Sequence, residues 1–322
     1  MMEKMTEYQG TPLYAREVEV LLYFEHLLGK PIPRRGSELG FKAEEGTVTE
    51  LILRSQGLTS LPKSIEKLRH LKKLDLHKNQ LSSLPEALGY LKNLQNLNLN
   101  YNQMTVLPET LSQLSNLQAI TLWDNQLVSL PDTFFSQLTN LQGLTLDKNR
   151  LTALPTSLYT CTNLVYLGLR GNNLKTFSAD LGNLVNLYEL HVENNQLTFL
   201  PETIGKLTRL RYLYLAENQL TALPTSLGDL ENLFDLSLKG NPLQFSSWVR
   251  VFRMAQKRNI NTDLDLSGIL NGHPLVTSLD LSSLSLNQTS CPFCGASELI
   301  SGQNKETRKD HLFCGQCEQI IS

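Results

Sequence analysis

Apolar and polar positions follow one repeated phrase through the middle of the chain, Leu-x-x-Leu-x-Leu-x-x-Asn-x-Leu. One copy reads Leu71, Leu74, Leu76, Asn79, Leu81, and another reads Leu210, Leu213, Leu215, Asn218, Leu220. The asparagines stand at Asn79, Asn102, Asn125, Asn149, Asn172, Asn195, Asn218 and Asn241, with spacings of 23 residues and a single 24 between Asn125 and Asn149. The Leu-x-Leu core alternates with period two, which predicts a short strand with Leu74 and Leu76 inward and Lys73, Asp75 and His77 outward. Each copy continues as Leu-Pro-x-x-Leu-x-x-Leu, as in Leu84, Pro85, Leu88 and Leu91. Proline donates no hydrogen bond and the leucines recur every three residues, so this half predicts short 3₁₀ turns.

One such unit cannot bury its apolar face alone. Stacked neighbours, about 4.8 Å apart, build a parallel sheet over one continuous core. The asparagine falls where the chain leaves the strand, and its carboxamide is expected to satisfy buried turn N–H and C=O groups, a structural role. A ninth, opening copy runs through Val48, Leu51, Leu53 and Leu58, with Gln56 in the asparagine position. Phe177-Ser178 replaces Leu-Pro in one copy, and the extra residue of the 24-residue copy falls near Phe134-Phe135. Cys161 occupies a slot that is leucine in other copies, which predicts a buried, unreactive thiol.

The eight copies resemble leucine-rich repeats, for which this phrase and period are a specific signature. The Leu-Pro variant is similar to intracellular proteins of the Shoc and Ras-suppressor type. That resemblance implies an α/β solenoid, a horseshoe with a parallel concave sheet, that acts as a scaffold in small-GTPase signalling. The segment Gly29-Lys30-Pro31-Ile32-Pro33, with Gly40, Gly46 and Gly57, is similar to the front of uncharacterised archaeal repeat proteins and implies no activity.

The open ends of a solenoid need covers. Thr11-Pro12 predicts a helix start, Tyr14, Val18, Leu21, Leu22 and Leu28 supply an apolar stripe, and Gly29-Lys30-Pro31 predicts the stop. Residues 1–46 are therefore expected to form an N-terminal helical cap, followed by the repeat array over 47–245. At the back, Trp248, Val249, Val251, Phe252 and Ala255 alternate with Arg250, Arg253, Lys257 and Arg258, an amphipathic cap helix with a basic side. Within 246–288, Leu264-Asp265-Leu266 and Leu279-Asp280-Leu281 read either as degenerate strands extending the sheet or as linker.

Residues 289–322 carry Cys291-x-x-Cys294, nineteen residues, then Cys314-x-x-Cys317. This spacing predicts one tetrahedral zinc held by four thiolates, with Gly295 and Gly315 favouring the tight turns. A closed four-sulfur shell makes the zinc structural, and the metal would supply the folding free energy of so small a module. Zinc ribbons often touch nucleic acid, yet this one holds Lys305, Arg308 and Lys309 against Glu298, Glu306, Asp310 and Glu318. Phosphate neutralisation needs clustered cations.

A formal net charge of −2 gives no bulk attraction to nucleic acid or anionic membrane. No run of eighteen apolar residues predicts a membrane span, and the first residues lack a signal-peptide pattern, so a cytoplasmic protein is expected. The outward strand positions, third, fifth and seventh in the phrase, form three columns. Exposed aromatic and charged residues gather there: Trp123, Asp147, Tyr166, Arg170, Glu189, His191, Glu193, Tyr212 and Tyr214. Tyr, Trp and Arg dominate interface energetics, so a protein partner is expected on this face. The competing reading is a solvated charge ladder along Asp147, Arg170 and Glu193. A nucleic-acid adaptor using the ribbon and the basic helix is the alternative function. No glycine-rich phosphate loop or nucleophile and base pairing points to an enzyme.

Overall fold

The computed structural model describes residues 4–263, 279–287, 299–304, 310–314 and 319–321. Ahead of the repeats stand β1 (Met5–Tyr8), β2 (Thr11–Tyr14), α1 (Ala15–Leu28) and β3 (Leu39–Glu44). The predicted helix start at Thr11-Pro12 is thus a strand. β1 and β2 pair antiparallel across Gln9 and Gly10, which have φ of 50° and 71°. Two consecutive left-handed residues make the turn that suits a two-residue hairpin, and this overrides the capping signature. The helix begins four residues later and ends where expected, on left-handed Gly29. Its buried face is Glu17, Val18, Val20, Leu21 and Phe24, whereas Leu22, assigned to the apolar stripe, is 50% exposed. The segment before the array is therefore a hairpin plus helix.

The repeats then supply β4 (Thr47–Leu53) and eight three-residue strands: β5 (Lys73–Asp75), β6 (Asn96–Asn98), β7 (Ala119–Thr121), β8 (Gly143–Thr145), β9 (Tyr166–Gly168), β10 (Glu189–His191), β11 (Tyr212–Tyr214) and β12 (Asp235–Ser237). After α2 (Phe245–Arg258), β13 (Asn261–Thr262) adds one more parallel strand. The resulting sheet runs β3 to β13 in chain order, parallel throughout except for the β3–β4 hairpin at its first edge. The phrase leucines, among them Leu74, Leu76, Leu144, Leu146, Leu213 and Leu215, are fully buried beneath it.

Proline opens most convex halves in extended backbone, as Pro85 at φ −70° and ψ 144°, and a 3₁₀ turn follows, Glu86–Tyr90 in that copy. Among the described residues the 24-residue copy lacks a 3₁₀ helix after its Pro131; it makes turns, and Phe134 and Phe135 both enter the core in edge-to-face contact. The extra residue thus costs a helical turn and adds an aromatic pair. Ser178, in place of proline, accepts a hydrogen bond from the Asp180 N–H.

The asparagines tie successive turns together. Asn172 Oδ1 accepts from Leu151 N in the previous copy, while Nδ2 donates to Leu146 O and Leu169 O. Asn79 does the same for Leu58, Leu53 and Leu76. The residue before each asparagine is left-handed even where it is not glycine, as Lys78 at φ 55°, Tyr101 at 56° and Glu217 at 55°. A second asparagine ladder, unpredicted, lies just before most strands: Asn93, Asn116, Asn140, Asn163, Asn186 and Asn232 donate to Arg69, Lys92, Ser115, Thr139, Thr162 and Thr208 carbonyls.

Beyond the array, β14 (Leu279–Asn287), β15 (Leu299–Asn304), β16 (Asp310–Cys314) and β17 (Gln319–Ile321) form a separate antiparallel sheet. Leu279-Asp280-Leu281 is thus a strand, but it pairs with β15 and does not extend the repeat sheet. Leu264-Asp265-Leu266 lies outside the described residues.

Candidate partner-binding face

In-register pairing aligns equivalent positions on neighbouring strands: Tyr166, Glu189, Tyr212 and Asp235 in one row, Gly168, His191, Tyr214 and Ser237 in the next. The outward side chains therefore stack into a continuous group. The His191 ring lies 5.4 Å from Tyr166 and 4.6 Å from Tyr214, and Tyr212 lies 6.4 Å from Tyr214. Gly168 makes room, because a Cβ there would meet the Asp147 carboxylate and the Tyr166 ring.

Both His191 nitrogens face carboxylates, Nε2 at 2.6 Å from Glu189 Oε1 and Nδ1 at 3.6 Å from Glu193 Oε1. Burial pulls the imidazole pKa down, but the two acids outweigh it and hold the group above its ordinary value. Burial pushes the Tyr166 phenol up to about 12, assisted by Asp147, Glu189 and Glu193. Burial also raises the Asp147 pKa.

The competing charge ladder along Asp147, Arg170 and Glu193 does not form. Asp147 Oδ1 accepts from the Arg170 backbone N–H at 2.9 Å, and the exposed Arg170 guanidinium makes no ion pair among the described residues. Asp75, expected to face solvent, is only 1% exposed because Arg54 closes over it at 2.6 Å.

Trp123 belongs to a different group. It packs 5.5 Å from Tyr101, which contacts His77, and Lys148 Nζ sits 5.4 Å from the indole centroid. Tyr101 escaped the three-column reading because it occupies the left-handed position after the strand. Tyr188 and Phe234 escaped it from the other side, just before their strands, where they contact Tyr212 at 5.5 and 6.0 Å.

The basic side of α2 is partly committed to structure. Arg250 donates to Leu223 O, and Arg258 donates to Leu230 O and Gly228 O. Val251 and Ala255 bury against the last repeat. Cys161 is fully buried and its thiol pKa is pushed up to about 12 by burial. The side chains of Cys291, Cys294, Cys314 and Cys317 lie outside the described residues. Among the described residues no helix is long and apolar enough to cross a membrane.

Parallel strands, convex turns and inter-turn asparagines define a leucine-rich-repeat solenoid. The family model described as leucine rich repeat matches residues 46–104, 115–174 and 185–243, more than half of the chain, and the chain belongs to that family. It is 33% identical to the ectodomain of the plant membrane receptor kinase GASSHO1/SCHENGEN3 from Arabidopsis thaliana, solved with CASPARIAN STRIP INTEGRITY FACTOR 2 (65% of this chain, 29% of that chain, TM-score 0.54). It is 31% identical to the plant peptide hormone receptor RGFR1 in complex with RGF2 (57% of this chain, 30% of that chain, TM-score 0.52). A leucine-rich-repeat protein of Leptospira interrogans, LIC12759, is 26% identical over 67% of this chain and 83% of its own (TM-score 0.30). The chain spans less than a third of either receptor chain. No curated protein matches it.

Proposed function

We propose that this protein is a non-catalytic scaffold that docks a protein partner on the exposed face of its repeat sheet. Tyr166, Glu189, His191, Tyr212 and Tyr214 form the centre, Asp147, Arg170 and Glu193 flank it, and Trp123 adds a second contact. The observation that carries this reading is the ring stack from Tyr166 through His191 to Tyr214, which lies outside the leucine core. Rigid, partly exposed aromatics are the side chains that anchor interfaces. Glu193 Oε2 is buried with no hydrogen-bond partner among the described residues, an acceptor that a partner's donor would satisfy. The plant peptide hormone receptor RGFR1, solved in complex with RGF2, supports a peptide-like segment as the docked element. The Leu-Pro repeats favour the Shoc and Ras-suppressor type, whose resemblance makes a small GTPase the family-implied partner in the cytoplasm.

Photocrosslinkers placed at Tyr212 and at the convex residue Glu109 test the face. The partner is expected to be captured from the first position alone, and purified partner should bind Tyr166→Ala/Tyr214→Ala weakly. Equal capture from Glu109 would overturn the reading.

The four-cysteine tail is proposed to hold one structural zinc through Cys291, Cys294, Cys314 and Cys317. Four thiolates complete a tetrahedral shell. Metal analysis of purified protein should return about one zinc per chain.

A further inference from the structure

The outer asparagine ladder is broken at one repeat. Where neighbouring copies place Asn163, Asn186 and Asn232, this one places Arg209, which donates to Asn186 Oδ1 at 2.8 Å and makes no bond to a carbonyl of the preceding repeat. Two residues on, Arg211 stands at a variable position that holds Lys72, Gln95, Gln118, Gln142, Val165, Tyr188 and Phe234 in the other copies. Its guanidinium lies 5.0 Å from the Phe234 ring centroid and 5.9 Å from that of Tyr212, and Nη1 reaches Tyr188 Oη at 3.5 Å. At this break a groove of about 590 Å³ opens beside the starts of β9 to β12, lined by Val165, Asn186, Tyr188, Arg209, Arg211 and Phe234.

Its walls combine two features. Val165, Tyr188 and Phe234 are 41%, 38% and 47% exposed, an apolar surface that the repeat core does not use. Both guanidiniums are exposed and bond only neutral acceptors; neither forms an ion pair among the described residues. Glu231 also borders the groove, but it lies beyond ion-pair distance of either arginine. A planar guanidinium fork matches a carboxylate in two-point geometry. A local departure from an otherwise consistent structural pattern is where a functional site is expected.

We propose that this groove binds an acidic segment of the protein partner, with an Asp or Glu carboxylate on Arg209 and Arg211 and an adjoining apolar side chain on Val165, Tyr188 and Phe234. The inference rests on the scaffold reading and adds the partner's chemistry at a subsite outside the strand columns. Arg211 against Tyr212 makes the groove continuous with the aromatic group on the sheet face.

The probe is a fluorescent, end-blocked peptide, acetyl-Gly-Leu-Glu-Phe-Glu-Leu-Gly-amide, with counterparts carrying Gln or Lys in place of Glu, titrated against the full chain by anisotropy. The Glu peptide should bind about tenfold tighter than the Gln peptide, with the preference shrinking at high salt. Arg209→Asn/Arg211→Gln should abolish the preference. Because Arg209→Asn restores the ladder residue, its melting temperature should match or exceed wild type, which separates lost binding from lost fold. Equal binding of all three peptides, tighter binding of the Lys peptide, no binding at all, or displacement by inorganic phosphate with no dependence on the apolar residues would each overturn the proposal. If Tyr166→Ala/Tyr214→Ala abolishes capture of the partner while the arginine variant does not, the sheet-face reading stands and the groove fails. The reverse result retains the groove and discards the sheet face.

Discussion

Asn172 Nδ2 donates to the carbonyl of Leu146 at 2.9 Å, across 26 positions of sequence. The same carboxamide also receives the N–H of Leu151 and bonds Leu169 O. One side chain therefore satisfies three buried backbone groups from two turns of the solenoid. Replacing it with alanine strands all three, so Asn172→Ala should lower unfolding free energy by about 3 kcal/mol in urea titration. Asn163→Ala, which removes one exposed bond of the outer ladder, should cost less than about 1 kcal/mol. Equal losses would mean that the inner ladder is not what couples the repeats.

His191 gives the sheet face a pH signature. Its folded pKa is raised above the ordinary 6.5, so its contribution is complete below that value and is lost as pH rises through the folded value. Melting curves of wild type and His191→Gln should differ most at slightly acid pH and converge toward alkaline pH. A gap that widens with pH would mean that the acids do not hold the imidazolium.

Glu17 on α1 is fully buried and accepts the Val48 N–H at the start of the array. Burial raises its pKa, so the native state holds that proton more tightly than the unfolded chain and stability falls as pH rises above the ordinary carboxyl range. Glu17→Gln keeps an acceptor for Val48 and removes the charge; it should unfold at higher urea than wild type at neutral pH. Glu17→Leu leaves the N–H without a partner and should unfold at lower urea. If both variants shift the same way, the Val48 bond is not what matters at this position.

Lys78 is held left-handed at φ 55°. Glycine loses the steric penalty of that region and regains part of it as unfolded-state entropy, so Lys78→Gly should stabilise by about 0.5–1 kcal/mol. A lower melting temperature would place the lysine side chain in a contact that matters more than its backbone.

Much of this arrangement is legible from spacing alone. A buried asparagine every 23 residues fixes the turn, and the leucine alternation fixes which side is core. Legibility ends where residues act outside that alternation. Asp75 sits at an outward position yet is covered by Arg54 from the preceding repeat, a contact that no periodicity encodes. Tyr188, Phe234 and Arg211 flank the strand, so a reading confined to strand positions passes over them. Arg209 is visible only once the second asparagine ladder is known, because its meaning lies in the residue it displaces. Thr11-Pro12 satisfies a local helix signature, but the Gln9-Gly10 turn commits it to a hairpin.

The antiparallel β3–β4 hairpin seals one margin of the sheet, while the parallel pairing and the inner asparagine bonds recur from one later turn to the next. Duplicating or excising one complete 23-residue module between Leu81 and Leu220 would therefore reproduce existing junctions and create no new kind of seam. The molecule can lengthen or shorten by whole units, and its docking surface can be resized by recombination without redesigning the interior.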